Sequence, residues 1–394
     1  MTTATVPERT IPRLALAGVF GGLFAGYLGL TSVIPVLPGF VSKHLGAPDI
    51  IVGLAITATS LTALLTRPLA GRLADTRGRK NVMRLGALIV GAGGLLYFAP
   101  LGVPGLICVR LLLGVGEASL FTAGAAWTVS LAPYQRRGQL IGLYGVSMWG
   151  GISLGTLCGA AIGHFGYAAV WVFSALVPLI GFLLVSAVPA PEQPTAPASH
   201  RHSFLPRPVI WPGVALTFGA AGYAGLASFV VLFMKSRGIG DSVLVLSEFS
   251  AVYAGTRLVI GHFPDKYGPR LVAAASGAGE AAGLLIIAWS PGLPAALIGG
   301  LIMGVGFSLL HPSLALMVMN RTDPSAQGVA LGAYTSFWDL GLGVWGPATG
   351  LVAAGFGYPA VFLTGAAGGA VASLMALWID RPARKPAAAR PAVA

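Results

Sequence analysis

The chain is a succession of long apolar runs, punctuated by basic residues, prolines and glycines. Cut at those breaks, the runs lie near 13–36, 50–70, 82–100, 103–128, 137–162, 167–188, 210–234, 243–262, 271–290, 293–318, 327–352 and 358–379. Each is close to the ~20 apolar residues that a helix needs to cross a hydrocarbon core of ~30 Å, where lipid offers unpaired backbone groups no partner. The pattern predicts an all-α membrane protein with twelve transmembrane helices. The first run ends in a break at Pro35-Val36-Leu37-Pro38. The longest polar connection, 189–208, is rich in Pro, Ala, Ser and His and falls after the sixth run. Its composition predicts a solvated cytoplasmic linker between two six-helix bundles, 1–188 and 209–394.

Composition narrows the class. Charged residues make up 9% of the chain and hydrophobic residues 55%, against ~25% charged in an ordinary soluble domain. That excludes a water-soluble enzyme, a disordered chain and a nucleic-acid binder. The net charge of +12 then has another meaning. With the N-terminus inside, 18 of the 24 Lys and Arg fall in inner segments, three (Lys43, Lys235 and Arg237) in outer loops, and three (Arg67, Arg110 and Arg257) within helices. Both termini are therefore expected in the cytoplasm of a cell (inner or plasma) membrane protein. Cys108 and Cys158 sit in apolar stretches, which excludes a disulfide framework. The polar start, followed by a run with no small-residue cleavage site, predicts no signal peptide.

The chain also matches itself. A shift of 190 lays Thr66-Arg67-Pro68-Leu69-Ala70-Gly71-Arg72-Leu73-Ala74-Asp75 on Thr256-Arg257-Leu258-Val259-Ile260-Gly261-His262-Phe263-Pro264-Asp265. It also pairs Gly78 with Gly268, Gly114-Val115-Gly116 with Gly304-Val305-Gly306, and Gly138 with Gly328; a shift of 191 pairs Phe165-Gly166-Tyr167 with Phe356-Gly357-Tyr358. Arg and Asp are scarce here, so their agreement in one register marks a duplication. Two parallel six-helix halves are the arrangement of secondary transporters that rock about a midplane site. No GxxxxGK[ST] loop is present to draw on ATP. The GxGxxG from Gly341 to Gly346 follows no strand and reads as helix-packing glycine.

Gly71-Arg72-Leu73-Ala74-Asp75-Thr76-Arg77-Gly78-Arg79-Lys80 resembles the loop motif between helices 2 and 3 of the major facilitator superfamily, with Thr76 in place of the usual basic residue. Gly261, Asp265 and Gly268 form a weaker second copy. The resemblance covers essentially the whole chain and implies the major facilitator fold, two pseudo-symmetric six-helix bundles, working as a monomer. It also implies that the loop latches the halves in the outward-facing state. Physically, Gly71 permits close helix approach and Gly78 a tight turn, Asp75 accepts from helix amides or arginines, and Arg77, Arg79 and Lys80 bind lipid phosphates or acidic partners. Further stretches are similar to the family's twelve-helix drug:proton antiporters: Ile34–Pro38, Arg110-xxx-Gly114-x-Gly116, and Gly151-xxx-Gly155-Thr156-xx-Gly159-Ala160. The last departs from the antiporter signature at Thr156 and Ala160. Gly346, Pro347 and Gly350 supply the proline-containing version in the repeat-equivalent helix.

An ionisable residue at mid-bilayer costs about 2.5–3.5 kcal/mol, so each one calls for a role. Arg110, Gly114 and Glu117 share one helix face by their i, i+4, i+7 spacing. Glu117 is a proton carrier tuned by Arg110, or half of a static ion pair. Asp339 is a second proton carrier, or a buried acid fixing two helices. Glu280 belongs, by resemblance, to an outer support helix; Glu248 and His311 are further titratable candidates. Tyr27, Phe121, Tyr223, Phe307 and Trp338, with His311, are candidate lining for a cavity that takes lipophilic solutes, or simple packing. The leading expectation is proton-coupled efflux of small lipophilic organic molecules by alternating access, with membrane lipid as the surrounding partner and no metal or cofactor. Import of a sugar or organic acid, export of a metal-chelating metabolite, and a non-transporting scaffold or sensor are the alternatives. The near absence of intramembrane Asn and Gln counts against sugars.

Overall fold

A computed structural model describes residues 13–99, 102–131, 137–189, 206–322 and 327–379. The termini and most of the expected linker, with several of the arginines counted above, lie outside the described residues. Among those described, twelve helices have eighteen residues or more. They are α1 (Arg13–Thr31), α2 (Asp49–Arg77), α3 (Arg79–Leu96), α4 (Gly102–Leu131), α5 (Arg137–Ile162), α6 (Tyr167–Ala187), α7 (Arg207–Ser236), α8 (Val243–Ile260), α9 (Pro269–Ala288), α10 (Leu293–Met319), α11 (Gln327–Phe356) and α12 (Tyr358–Ile379). Ten of them are long and apolar enough to cross a bilayer. The other two are α3, which carries Arg79, Lys80 and Arg84, and α11, which is diluted by Asp339, Pro347 and several glycines.

Helix ends follow the breakers. α1 stops at Thr31, five residues short of the predicted run. Pro35 and Pro38 carry no amide hydrogen to continue the ladder, and the chain turns through Leu37–Gly39 into a short π-helix, Phe40–His44. α2 runs seven residues beyond its predicted end, carrying Arg72 and Arg77 on the helix. It stops at Gly78, whose φ of 91° lets α3 start after a single residue. The repeat partner Gly268, with φ 86°, does the same before α9.

Packing repeats with the sequence. α1 lies against α5 and α6, α3 against α4 and α6, and α2 against α4; in the same pattern α7 lies against α11 and α12, α9 against α10 and α12, and α8 against α10. Between an apolar helix and an apolar solvent there is little hydrophobic drive, so small residues that admit close backbone contact hold these pairs together. On α5, a Cβ at Gly151 would stand 2.5 Å from the Phe24 carbonyl oxygen and one at Gly155 2.5 Å from that of Leu28, while one at Gly159 would run into Ser32. On α11 the glycines divide: Gly341 meets Thr217 and Ala220 of α7, but Gly346 meets Thr57, and Gly350 meets Asp49 and Ile50, all on α2. Under the shift of 191 that also pairs Phe165 with Phe356, Gly155 and Gly346 are equivalent in sequence but not in contact.

Two seams join the first six helices to the last six, α2 with α11 and α5 with α8, and the first is the more extensive. Gly53 and Gly346 bring the α2 and α11 backbones together, and Tyr358 Oη donates to Asp49 Oδ1 at 3.3 Å at the same end. Towards the other end, a Cβ at Gly332 of α11 or at Gly142 of α5 would meet nothing within 4 Å. Near the ends where α5 and α11 begin, both helices thus have open space beside these glycines.

Candidate functional site

Where α2 crosses α11, Arg67 Nε donates to Asp339 Oδ2 at 2.5 Å and Nη2 donates to Oδ1 at 3.1 Å. The fork is bidentate, the geometry in which guanidinium and carboxylate fit best. Arg67 is 9% exposed and Asp339 1%. The guanidinium also lies over the Phe121 ring of α4, 4.8 Å from its centroid, while Nη1 is buried without an acceptor.

Beside this pair, Tyr27 Oη of α1 donates to Glu117 Oε1 of α4 at 3.1 Å. Glu117 is partly accessible and lies within electrostatic reach of Asp339, Arg67 and Arg110. Arg110 and Glu117, which share a helix face, form no direct ion pair, and the Arg110 charge acts on Glu117 from a distance. Gly114 lets α4 lie directly on α2 near Thr59 and Thr62. One turn earlier, Arg110 is thereby laid on the α2 backbone. Its Nε donates to the Ala55 carbonyl at 2.5 Å, Nη2 to that of Ile56 at 2.7 Å, and Nη1 to Tyr97 Oη at 3.3 Å. Arg110 is 2% exposed and ties three helical segments together.

The second seam is aromatic. Trp149 of α5 lies 4.8 Å from Tyr253 of α8, 5.5 Å from Trp338 of α11 and 6.0 Å from His311 of α10, centroid to centroid. Tyr223 of α7 stacks on Phe307 of α10 at 5.8 Å with their planes 4° apart, and Trp338 lies within 5.8 Å of both. Arg257 Nη2 donates to Tyr253 Oη at 2.7 Å, and its guanidinium carbon sits 5.7 Å from the centre of a Trp149 ring. Tyr223, Phe307, His311 and Trp338 are thus gathered on one side, Tyr27 and Phe121 on the other. Glu280 stands apart, fully buried among the glycines of α7 with both carboxylate oxygens unpartnered; Glu248 has one oxygen in the same state.

The loop after α2 departs from its expected contacts. Asp75 is exposed, and its nearest cation is Arg79 at 4.0 Å, one turn away. Lys80 Nζ donates to the carbonyls of Ser186 and Val188 at 2.9 and 2.6 Å, capping the end of α6 rather than facing lipid phosphate. Arg77 is exposed. A Cβ at Gly71 would touch only the Thr122 methyl, at an ordinary 3.7 Å, so this glycine serves no close approach here. Asp265 of the second copy is exposed, and Gly261 lies directly after α8 against the Arg257 carbonyl.

Sequence reasoning passed over Arg67, Trp149, Tyr253 and Arg257. The signal that finds three of them is the repeat. The shift of 190 relates Arg67 to Arg257 and Asp339 to Trp149. The same register relates Tyr144 to Tyr334 and Phe121 to His311, and the hydrogen bonds obey it: Tyr144 Oη donates to the Phe121 carbonyl at 2.7 Å, and Tyr334 Oη to that of His311 at 2.9 Å. No group of three or more His, Cys, Asp or Glu is gathered as for a metal ion among the described residues.

The Major Facilitator Superfamily family model matches residues 19–247 and 239–394. An uncharacterised MFS-type transporter of Burkholderia mallei (strain SAVP1) is 34% identical over 384 residues, covering 94% of this chain and 93% of the relative. Another from Salmonella typhimurium (strain LT2) is 32% identical over 366 residues, covering 90% and 93%. Among solved structures, the human organic anion transporter MFSD10 (TETRAN) superposes with a TM-score of 0.70 at 18% identity, over 94% of this chain and 100% of that one. The nucleoside transporter NupG gives 0.75 at 14%, over 93% and 100%. At such identities these two speak for the fold alone. With both halves matched by the family model and relatives a third identical along nearly their full length, the chain belongs to the major facilitator superfamily, a multi-pass secondary transporter.

Proposed function

We propose that this transporter couples proton entry to the export of small organic molecules with large apolar surface. The observation that carries the reading is the Arg67–Asp339 pair, which spans the seam between the halves 1–188 and 209–394 beside the Tyr27–Glu117 pair. Rocking the halves about their centre pulls α2 from α11 and separates the two charges. A carboxylate left without its cation in a low-dielectric interior is stable only if it takes a proton. Asp339 alternates between Arg67 and a proton, and Glu117 supplies a second acid at the same level. The aromatic group on the α5–α8 side offers the stacking surface for cargo.

The Lys and Arg distribution supports cytoplasmic termini, and on that reading the close Gly53–Gly346 end faces out. Among the described residues Asp75 pairs only with Arg79 of its own half, which fits a state in which the loop is not latched across the halves. Each proton moved down 100 mV is worth roughly 2.3 kcal/mol. At ~1.4 kcal/mol per tenfold, this sustains about a fiftyfold gradient of cargo.

The test is accumulation of a lipophilic fluorescent cargo in inverted membrane vesicles. Uptake is expected to collapse when the pH gradient and potential are dissipated, and in Asp339→Asn and Glu117→Gln. Uptake that ignores the gradients overturns the coupling. A susceptibility panel in a host lacking its own pumps then ranks cargo.

A further inference from the structure

From the two seams we infer that the cargo is an organic anion, a carboxylate on an aromatic body, and that Arg257 is the residue that binds its charge. The inference rests on the transporter reading above and narrows its substrate class. The duplication puts an arginine at the same place on α2 and α8. On α2 it has its acid, Asp339; on α8 the equivalent partner position is Trp149, so the cation has been kept and the counter-ion lost. Neither ion pair among the described residues includes Arg257. Its Nε is buried with no acceptor, and among the described residues its one hydrogen bond runs from Nη2 to a neutral phenol. The rings of Trp149 and Tyr253 lie 5.7 and 5.5 Å from the guanidinium carbon. That is close to the ~6 Å limit at which an aromatic face attracts a cation, and it leaves the guanidinium's other donors uncommitted.

A guanidinium within a membrane bundle calls for partners for its donors: Arg67 has an acid and Arg110 two backbone carbonyls, but Arg257 has, among the described residues, a phenol alone. Where the fold supplies no more, the ligand does. A carboxylate matches the fork, and Trp149, Tyr253, Phe307, Tyr223 and Trp338 form a continuous aromatic cluster beside it, closed on itself in this state, whose faces would take the rest of the molecule once the α5–α8 seam parts. A neutral or cationic solute would stack on the same faces and leave Arg257 unpaired.

The experiment is equilibrium binding to the purified full chain in detergent, with no gradient, so proton coupling plays no part in it. The probes are matched pairs, naphthoate against naphthamide and indole-acetate against indole-acetamide. Each carboxylate is expected to bind at least tenfold more tightly than its amide. Arg257→Gln is expected to bring that ratio to near one by weakening the acid alone, and Arg257→Lys to keep part of it. Trp149→Asp, which supplies the missing counter-ion, is expected to abolish the preference in a chain whose elution and melting show it folded. Equal binding of acid and amide, failure of every carboxylate to bind, or a preference that survives both Arg257→Gln and Trp149→Asp overturns the proposal. Binding that behaves as expected, beside vesicle transport that ignores the proton gradient, would leave it standing and remove only the coupling.

Discussion

The α2–α11 and α5–α8 seams are two products of one duplicated design, and their difference is informative. Each pairs a first-half helix with a second-half helix, each carries an arginine at the same register, and each has a glycine with open space beside it near one end. In the first, Arg67 is answered by Asp339; in the second, Arg257 faces Trp149. The same substitution runs one layer further, because the shift of 190 puts Phe307 where Glu117 stands. One side of the centre has kept acids and the other has become aromatic. On the function proposed above, a symmetric pair of sites is divided into a part suited to protons and a part suited to an apolar solute.

The sharpest way to break this comparison is at Asp339. Asp339→Asn takes from buried Arg67 the carboxylate it is hydrogen-bonded to, which is expected to lower stability by about 3–5 kcal/mol, read as a fall in melting temperature in detergent. Arg67→Met combined with Asp339→Leu removes both charges and is expected to regain most of that stability while gradient-driven transport stays absent. A double variant that still responds to the pH gradient would show that the pair is only structural.

Glu117→Gln comes next. The amide oxygen still accepts from Tyr27, so stability should change by no more than about 1 kcal/mol, while proton-driven uptake in vesicles falls at least about tenfold, as expected for loss of a group within hydrogen-bond reach of its proton path. Gly346→Val tests the close Gly53–Gly346 end. The added branches run into Thr57, costing about 1–3 kcal/mol and prising α2 from α11. A cysteine placed at Ile50 should then react faster with a polar thiol reagent. The smallest effect belongs to the end where α5 and α11 begin, where Gly142→Ala and Gly332→Ala meet no neighbour. They are expected to raise stability by about 0.5–1 kcal/mol through helix propensity. A large loss from either would show that end to be packed.

Much of this was legible along the chain. Run lengths gave most helices to within a few residues, because a lipid-facing backbone has no alternative to the helix once apolar residues persist for its thickness. The exceptions have local causes: the prolines that end α1 early, and charged side chains that let α2 run on past the apolar boundary. The site was legible only in part. Glu117, Asp339 and the aromatic candidates stand out as residues of unusual type for their setting. Arg110 stands out equally and yet serves the α2 backbone, because helix spacing says which face a residue occupies and nothing about which neighbour covers that face. Lys80 shows the same limit, since its carbonyl partners are more than a hundred residues away in sequence.

What the sequence determined by itself was the solvent, the helices, their duplication and the roster of scarce charged residues, since these follow from hydrophobicity and self-similarity, which act locally. Tertiary structure alone decided which charge meets which. Arg67 and Asp339 are 272 residues apart and belong to different halves. Only the packing of α2 on α11, set by glycines that let two backbones touch, brings them within hydrogen-bonding distance, and only the companion seam reveals that Arg257 was left with a ring where its twin has an acid.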